Sequence, residues 1–200
     1  NRAGIARWIM TCSLSGKFVE FSASYTHADE LGGQLTSLIS GINTNTLLHE
    51  VLVDLPGRDD VLDFLATTQG VLKVFESNGV DTNVLNRSSE VSLQQQSQQG
   101  NGEVTYSLTH PPTGGFSYAR TNDPFSGSKL VKYARRSDGK VIPNDNVWFS
   151  KTRDSEKKWV YHFHIFDVDS TGSYELVFDD ASNFPQPPVI QFVMDRYTTE

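Results

Sequence analysis

Trp159-Val160-Tyr161-His162-Phe163-His164-Ile165-Phe166-Asp167-Val168 is the longest strand pattern in the chain, and the fold is read outward from it. Side chains two apart on a strand share a face. Trp159, Tyr161, Phe163 and Ile165 therefore make one apolar face, apolar enough to be core, with His162 and His164 on the other. Tyr174-Leu176-Phe178 answers this strand across Asp169-Ser170-Thr171-Gly172. Upstream, Val104-Tyr106-Leu108, Phe116-Tyr118, Leu130-Val131-Tyr133 and Val147-Trp148-Phe149 are short strand candidates separated by Pro, Gly, Asn and Asp. Asp138-Gly139 is a hairpin turn that leads to Val141-Ile142, and Val189 to Tyr197 is a last strand after Pro185, Pro187 and Pro188.

The first third is mixed. Trp8, Met10, Cys12 and Leu14, then Val19, Phe21, Ala23 and Tyr25, alternate as a hairpin about Ser15-Gly16-Lys17. Leu31, Leu35, Leu38, Ile39 and Ile42 fall at helical spacing. Val51-Leu52-Val53 reads as a short strand. A second helix is expected beyond it, capped by Asp59 or Asp60, striped by Val61, Leu62, Phe64 and Leu65, and stopped by Gly70. Val71 to Phe75 is a strand leading to Asn78-Gly79, a strong hairpin signal. The expected fold class is mainly β: an antiparallel β-sandwich or jelly-roll-like barrel with one or two short helices in the N-terminal third. An immunoglobulin-like strand order stays open. Residues 1–200 are expected to form a single β-rich domain from a longer protein, with a flexible Gln-rich loop at about 92–102.

The chain has 200 residues, 37% hydrophobic and 20% charged, with 24 acidic against 17 basic side chains and a net charge of −7. Its basic residues are scattered, apart from Arg135-Arg136, which argues against a nucleic-acid module built to neutralise phosphates. The apolar runs fall short of the ~18 residues a membrane helix needs. The one cysteine, Cys12, excludes a disulfide within the sequence and reads as a buried small hydrophobe.

His162-Phe163-His164 is the best metal candidate, since both imidazoles share a face and Asp169 follows. It is like the cupin pattern only in part: Glu156 stands where that pattern has glycine, and Asp167 and Asp169 fall on the opposite face of a regular strand. No metal or other cofactor is expected. The polar face of a half-buried strand explains the two histidines as well. No Gly-x-Ser-x-Gly elbow or phosphate loop is present; the glycine pair makes Thr113-Gly114-Gly115-Phe116-Ser117 read as a plain turn. Asp54, Asp59, Asp60 and Asp63 fit a helix cap and its solvated flank better than an acid and base pair. Asn86-Arg87-Ser88 is a formal N-glycosylation acceptor. Between Phe116 and Gly127, Tyr118, Arg120, Asn122, Asp123 and Phe125 have the make-up of a recognition loop, with aromatic and Arg anchors among short polar groups.

With its short Ser/Thr/Asn/Gly-rich strands, single cysteine, polar stretch from Gln94 to Gly102 and acidic balance, the whole chain resembles the protruding domain of a coat protein from a small non-enveloped RNA virus, tetravirus-like or nodavirus-like. The likeness is one of texture and transfers no functional residue. It implies a non-enzymatic domain at the virion surface. Such a domain would associate as dimers or trimers, touch neighbouring coat subunits, and attach to a host receptor or glycan, without membrane insertion or nucleic-acid contact. The alternatives are a secreted, extracellular carbohydrate-binding or adhesin-like β-sandwich, and a jelly-roll metalloenzyme centred on His162 and His164.

Overall fold

The computed structural model describes residues 45–185. The N-terminal hairpin with Cys12, the helix expected around Leu31 to Ile42 and the closing strand at Val189 to Tyr197 lie outside them. The described chain is mainly β: apart from two three-residue 3-10 turns, its regular elements are strands. In order they are β1 (Thr46–Val51), β2 (Asp63–Thr68), β3 (Val71–Phe75), β4 (Asp81–Asn86), β5 (Ser92–Gln98), β6 (Val104–Thr109), β7 (Thr113–Asn122), β8 (Lys129–Arg136), β9 (Val147–Arg153), β10 (Trp159–Ser170) and β11 (Ser173–Asp180). They form a seven-stranded sheet, β1-β2-β3-β4-β7-β10-β9, and a four-stranded sheet, β5-β6-β11-β8. Pairing is antiparallel except between β4 and β7, which run parallel, so the all-antiparallel expectation is corrected at that step.

Period-two alternation distributes the apolar side chains between two cores. Phe163 and Ile165 of β10 and Ala119 of β7 face the four-stranded sheet, where Val104, Tyr106, Leu108, Leu176 and Phe178 meet them. Their even-numbered neighbours Phe166 and Val168, with Phe116 and Tyr118, turn the other way onto Val51, Leu65, Val74, Val84 and Trp148. The middle of β10 is thus covered on both sides, and the histidine face is itself a core face there. Each large apolar side chain so buried contributes about 1.5–3 kcal/mol.

The second core exists because the seven-stranded sheet curls until its outermost strands meet. His49 of β1 stacks on Trp148 of β9, with ring centroids 4.2 Å apart and planes 15° from parallel. Asn146, just before β9, accepts a hydrogen bond from the Leu52 amide at 2.7 Å and donates one to the Leu52 carbonyl at 2.9 Å. A side-chain amide thereby replaces one rung of backbone ladder across the seam.

Three expectations are corrected. The stretch from Asp59 to Gly70 contains strand β2 and no helix. The spacing of Val61, Leu62, Phe64 and Leu65 imitates a helical stripe, but only Leu65 enters the core. Gln69 and Gly70 both hold positive φ (49° and 81°), as a two-residue hairpin loop between β2 and β3 requires. The Gln-rich stretch is largely edge strand β5, because its backbone pairs with β6 whatever its side chains do. Leu93 packs on the first core while the glutamines stay in solvent. Third, Tyr174 to Phe178 does not pair with β10. The chain changes sheets at Asp169 (φ 51°) and Gly172 (φ 75°), and β11 pairs with β6 and β8. The expected hairpins at Asn78-Gly79 and Asp138-Gly139 form, and both glycines hold positive φ.

Candidate functional site

The parallel pairing of β4 with β7 brings the sequence candidates into one region. The Arg87 amide donates to the Tyr118 carbonyl at 2.7 Å, and the Arg120 amide donates to Ser88 Oγ at 2.9 Å. Arg87 pins the turn further through Thr113 Oγ1 (2.9 Å) and Glu90 (3.0 Å). Beyond the end of β4 opens a cleft of about 600 Å³, lined by Asn86, Ser88, Ser89, Arg120, Thr121, Asn122 and His162. Every lining side chain is polar. Register explains the far wall: His162 pairs with Asn122 and His164 with Arg120, so these four lie on one sheet face. Arg120 forms no ion pair among the described residues and leaves a fixed cation at the cleft. The acceptor motif lies here too, with Ser88 Oγ donating to Asn86 Oδ1 at 2.6 Å.

Of the five recognition-loop residues, Arg120 and Asn122 line this cleft. The other three have structural partners. Tyr118 is buried, its hydroxyl 2.8 Å from His164 Nδ1. Asp123 is buried and accepts from the amides of Phe125 (2.9 Å) and Gly127 (2.7 Å), which shapes the turn into β8. Phe125 packs edge-on against Tyr106 in the first core. Sequence reasoning missed Asn86, Ser88 and Ser89, because only the parallel crossover from β4 brings them beside β7. The glycosylation motif marked the segment without revealing its neighbours.

Behind the cleft, His164 holds hydroxyls at both nitrogens: Tyr118 at Nδ1 and Ser150 Oγ at Nε2, 2.7 Å away. Trp148 stacks on its ring, centroids 4.9 Å apart. Burial, aided by Arg120 and by His162 and His49, pushes its pKa down to about 3. Burial raises the Tyr118 hydroxyl to about 12, so that group stays neutral too. A base this weak leaves Ser150 unactivated near neutrality, since proton transfer is efficient when the catalytic pKa lies near the working pH.

The metal candidates are not brought together. His164 spends both nitrogens as described, His162 Nε2 meets Thr152 Oγ1 at 3.1 Å, and the two ring centroids are 6.3 Å apart. Asp169 is exposed at the sheet crossing and accepts from the Gly115 amide at 2.7 Å. Among the described residues no group of three His, Cys, Asp or Glu is placed to hold a metal ion. Asp167 faces the opposite side of β10 from His164. It binds Tyr174 Oη at 2.9 Å and Arg136 Nη1 at 3.0 Å between the sheets.

No family model, curated protein or solved structure matches the chain.

Proposed function

We propose that this is a non-enzymatic attachment domain whose cleft beside β7 binds carbohydrate. The observation that carries the reading is the lining itself: Asn86, Ser88, Ser89, Thr121, Asn122 and His162, all polar, border one open space with Arg120, which forms no ion pair among the described residues. A volume of about 600 Å³ falls in the range of small-ligand sites. An open, hydroxyl- and amide-lined cleft suits a polyhydroxylated ligand that keeps part of its surface in water. The setting we propose is a jelly-roll-like protrusion at a virion surface, self-associating as dimers or trimers and reaching a receptor glycan. The acidic balance supports a role away from nucleic acid. The same cleft would serve an extracellular adhesin-like or carbohydrate-binding module equally well.

A glycan array probed with the tagged chain, followed by calorimetric titration of the hits, tests the binding reading. Arg120→Ala or Asn122→Ala should weaken binding at least tenfold while leaving the melting temperature unchanged. An empty array, including acidic and neutral glycans, ends it. Light scattering separates the settings: dimers or trimers support the coat-protein protrusion, and a monomer at high concentration leaves the adhesin-like module.

A further inference from the structure

The β9–β10 hairpin carries a second feature, remote from the cleft in chemistry and on the opposite face of β10. Past Ser150 the outer part of this hairpin is open among the described residues: Lys151, Thr152 and Arg153 are exposed, and Trp159 keeps 45% of its surface in water. Register places Trp159 opposite Arg153 and Tyr161 opposite Lys151, so all four side chains share one face at the outer edge of the seven-stranded sheet. The Lys151 ammonium lies 4.9 Å, and the Arg153 guanidinium 4.5 Å, from the Trp159 ring centroid. Half-buried Tyr161 continues the aromatic row inward, its ring under Gly127.

Charge is distributed unevenly along this hairpin. Asp154 accepts the amides of Glu156 (2.9 Å) and Lys158 (2.8 Å) within the exposed turn, and Glu156 pairs with Lys158 at 2.7 Å. Lys151 and Arg153 form no ion pair among the described residues. On a chain of net charge −7, the flank of this hairpin is a local cationic ladder with an indole set into it.

We propose that this flank is a binding site for an anionic polysaccharide, a chain of sulfated or uronic sugars lying along β9 and β10. Sulfate or carboxylate groups meet Lys151 and Arg153, as Arg and Lys forks do with other oxyanions. The apolar C–H face of a sugar ring covers the exposed part of Trp159. An acidic lipid surface fits less well. The hairpin tip that would enter it, Asp154-Ser155-Glu156-Lys157, has no apolar residue and carries two acids. Two cations also lie 4.9 Å and 4.5 Å from the Trp159 ring centroid, which disfavours entry of the indole into an apolar lipid layer.

The test is calorimetric titration of the full chain with dextran sulfate at several salt concentrations. Phosphatidylserine vesicles and duplex DNA are run in parallel. Binding to dextran sulfate is expected, weakening with salt. The double variant Lys151→Glu/Arg153→Glu should bind at least tenfold more weakly, with a shallower salt dependence. Trp159→Ser should weaken binding severalfold at an unchanged salt slope. Both alter exposed positions, and circular dichroism checks their folding. Arg135→Glu, an exposed charge reversal on β8 outside both sites, should bind dextran sulfate like the parent chain. The double variant should keep the parent chain's neutral-glycan hits on the array, which keeps this site distinguishable from the carbohydrate cleft. The proposal is overturned if the double variant binds like the parent, if Arg135→Glu weakens binding as much as the double variant does, or if vesicles or DNA are bound as tightly as dextran sulfate.

Discussion

Asn146 holds both backbone groups of Leu52 through its side-chain amide, accepting at 2.7 Å and donating at 2.9 Å, 94 residues away in sequence. This pair closes the curl of the seven-stranded sheet. β1 and β9 approach there without a shared ladder, and the buried Asn146 amide supplies the complementary donor and acceptor. The cleft, His164 and the second core all lie on a sheet whose curvature depends on that closure.

Asn146→Ala is accordingly expected to cost about 2–4 kcal/mol, since it strands a buried donor and acceptor at the seam. Asn146→Asp should cost at least as much at neutral pH, because a carboxylate cannot donate to the Leu52 carbonyl. Urea unfolding followed by circular dichroism measures both. Parent-like midpoints would mean that the seam is not closed by this amide.

Acid should weaken the fold through His164. Its pKa is held down near 3, whereas in the unfolded chain it is about 6.5, so between these values the unfolded state binds the extra proton. Stability is therefore full above pH 6.5 and falls by about 1.4 kcal/mol per unit as pH drops below it. His49 and His162, both lowered chiefly by burial, add in the same direction. Denaturant unfolding between pH 7 and 5, above the range of most carboxylates, reads this slope. His164→Gln should reduce it by about one proton. A flat profile in the parent chain would contradict a buried neutral imidazole.

Arg136 is the clamp between the sheets. From β8 it donates to Asp167 and to the carbonyls of Val168 (2.9 Å) and Asp169 (3.0 Å), and it also grips Asp138. Arg136→Met should cost about 3–5 kcal/mol, because among the described residues it leaves the buried Asp167 carboxylate with only Lys140 (3.5 Å) as a cation. Tyr174→Phe removes one donor to the same carboxylate and should cost about 1–2 kcal/mol. Thermal unfolding of the two variants should preserve that order; a larger loss for Tyr174→Phe would place the lock elsewhere.

Gly172 tolerates no side chain. It holds φ 75° where the chain crosses between sheets, and an added Cβ would collide with the His110 carbonyl and lie 2.9 Å from Pro112 N. Gly172→Ala should cost more than 3 kcal/mol or prevent folding, whereas Gly139→Ala, with φ 93° and open space around it, should cost only about 1–2 kcal/mol. Soluble yield and melting temperature compare them, and similar values for the two would refute the crowding argument.

Much of the strand content was legible because alternation is a local signal. Val104 to Leu108 and Trp159 to Val168 each show it unaided, Val71 to Phe75 reads as a short apolar run, and Asn78-Gly79 marks its own turn. The segment from Val61 to Leu65 misleads for the same reason. Over five residues, one buried leucine with Val61 exposed and Leu62 and Phe64 half-buried matches a helix as well as a strand, and sheet pairing with β1 and β3 decides between them. Of the cleft, Arg120 and Asn122 were visible as recognition-loop residues, though they lie on strand β7, and His162 as a polar residue on a strand pattern, but nothing near Asn86, Ser88 and Ser89 encodes the parallel partner that brings them there.

By itself the sequence determined that inward and outward side chains alternate along β6 to β11, where several turns fall, and that the chain carries excess negative charge. Each of those depends on neighbours a few residues apart. Only the tertiary structure decided that the histidine face of β10 is a second core, that β10 and β11 belong to different sheets, and that Asn146 meets Leu52. Strand partners and sheet curvature are set by contacts between segments tens of residues apart, and alternation along one strand carries no record of which strand lies beside it.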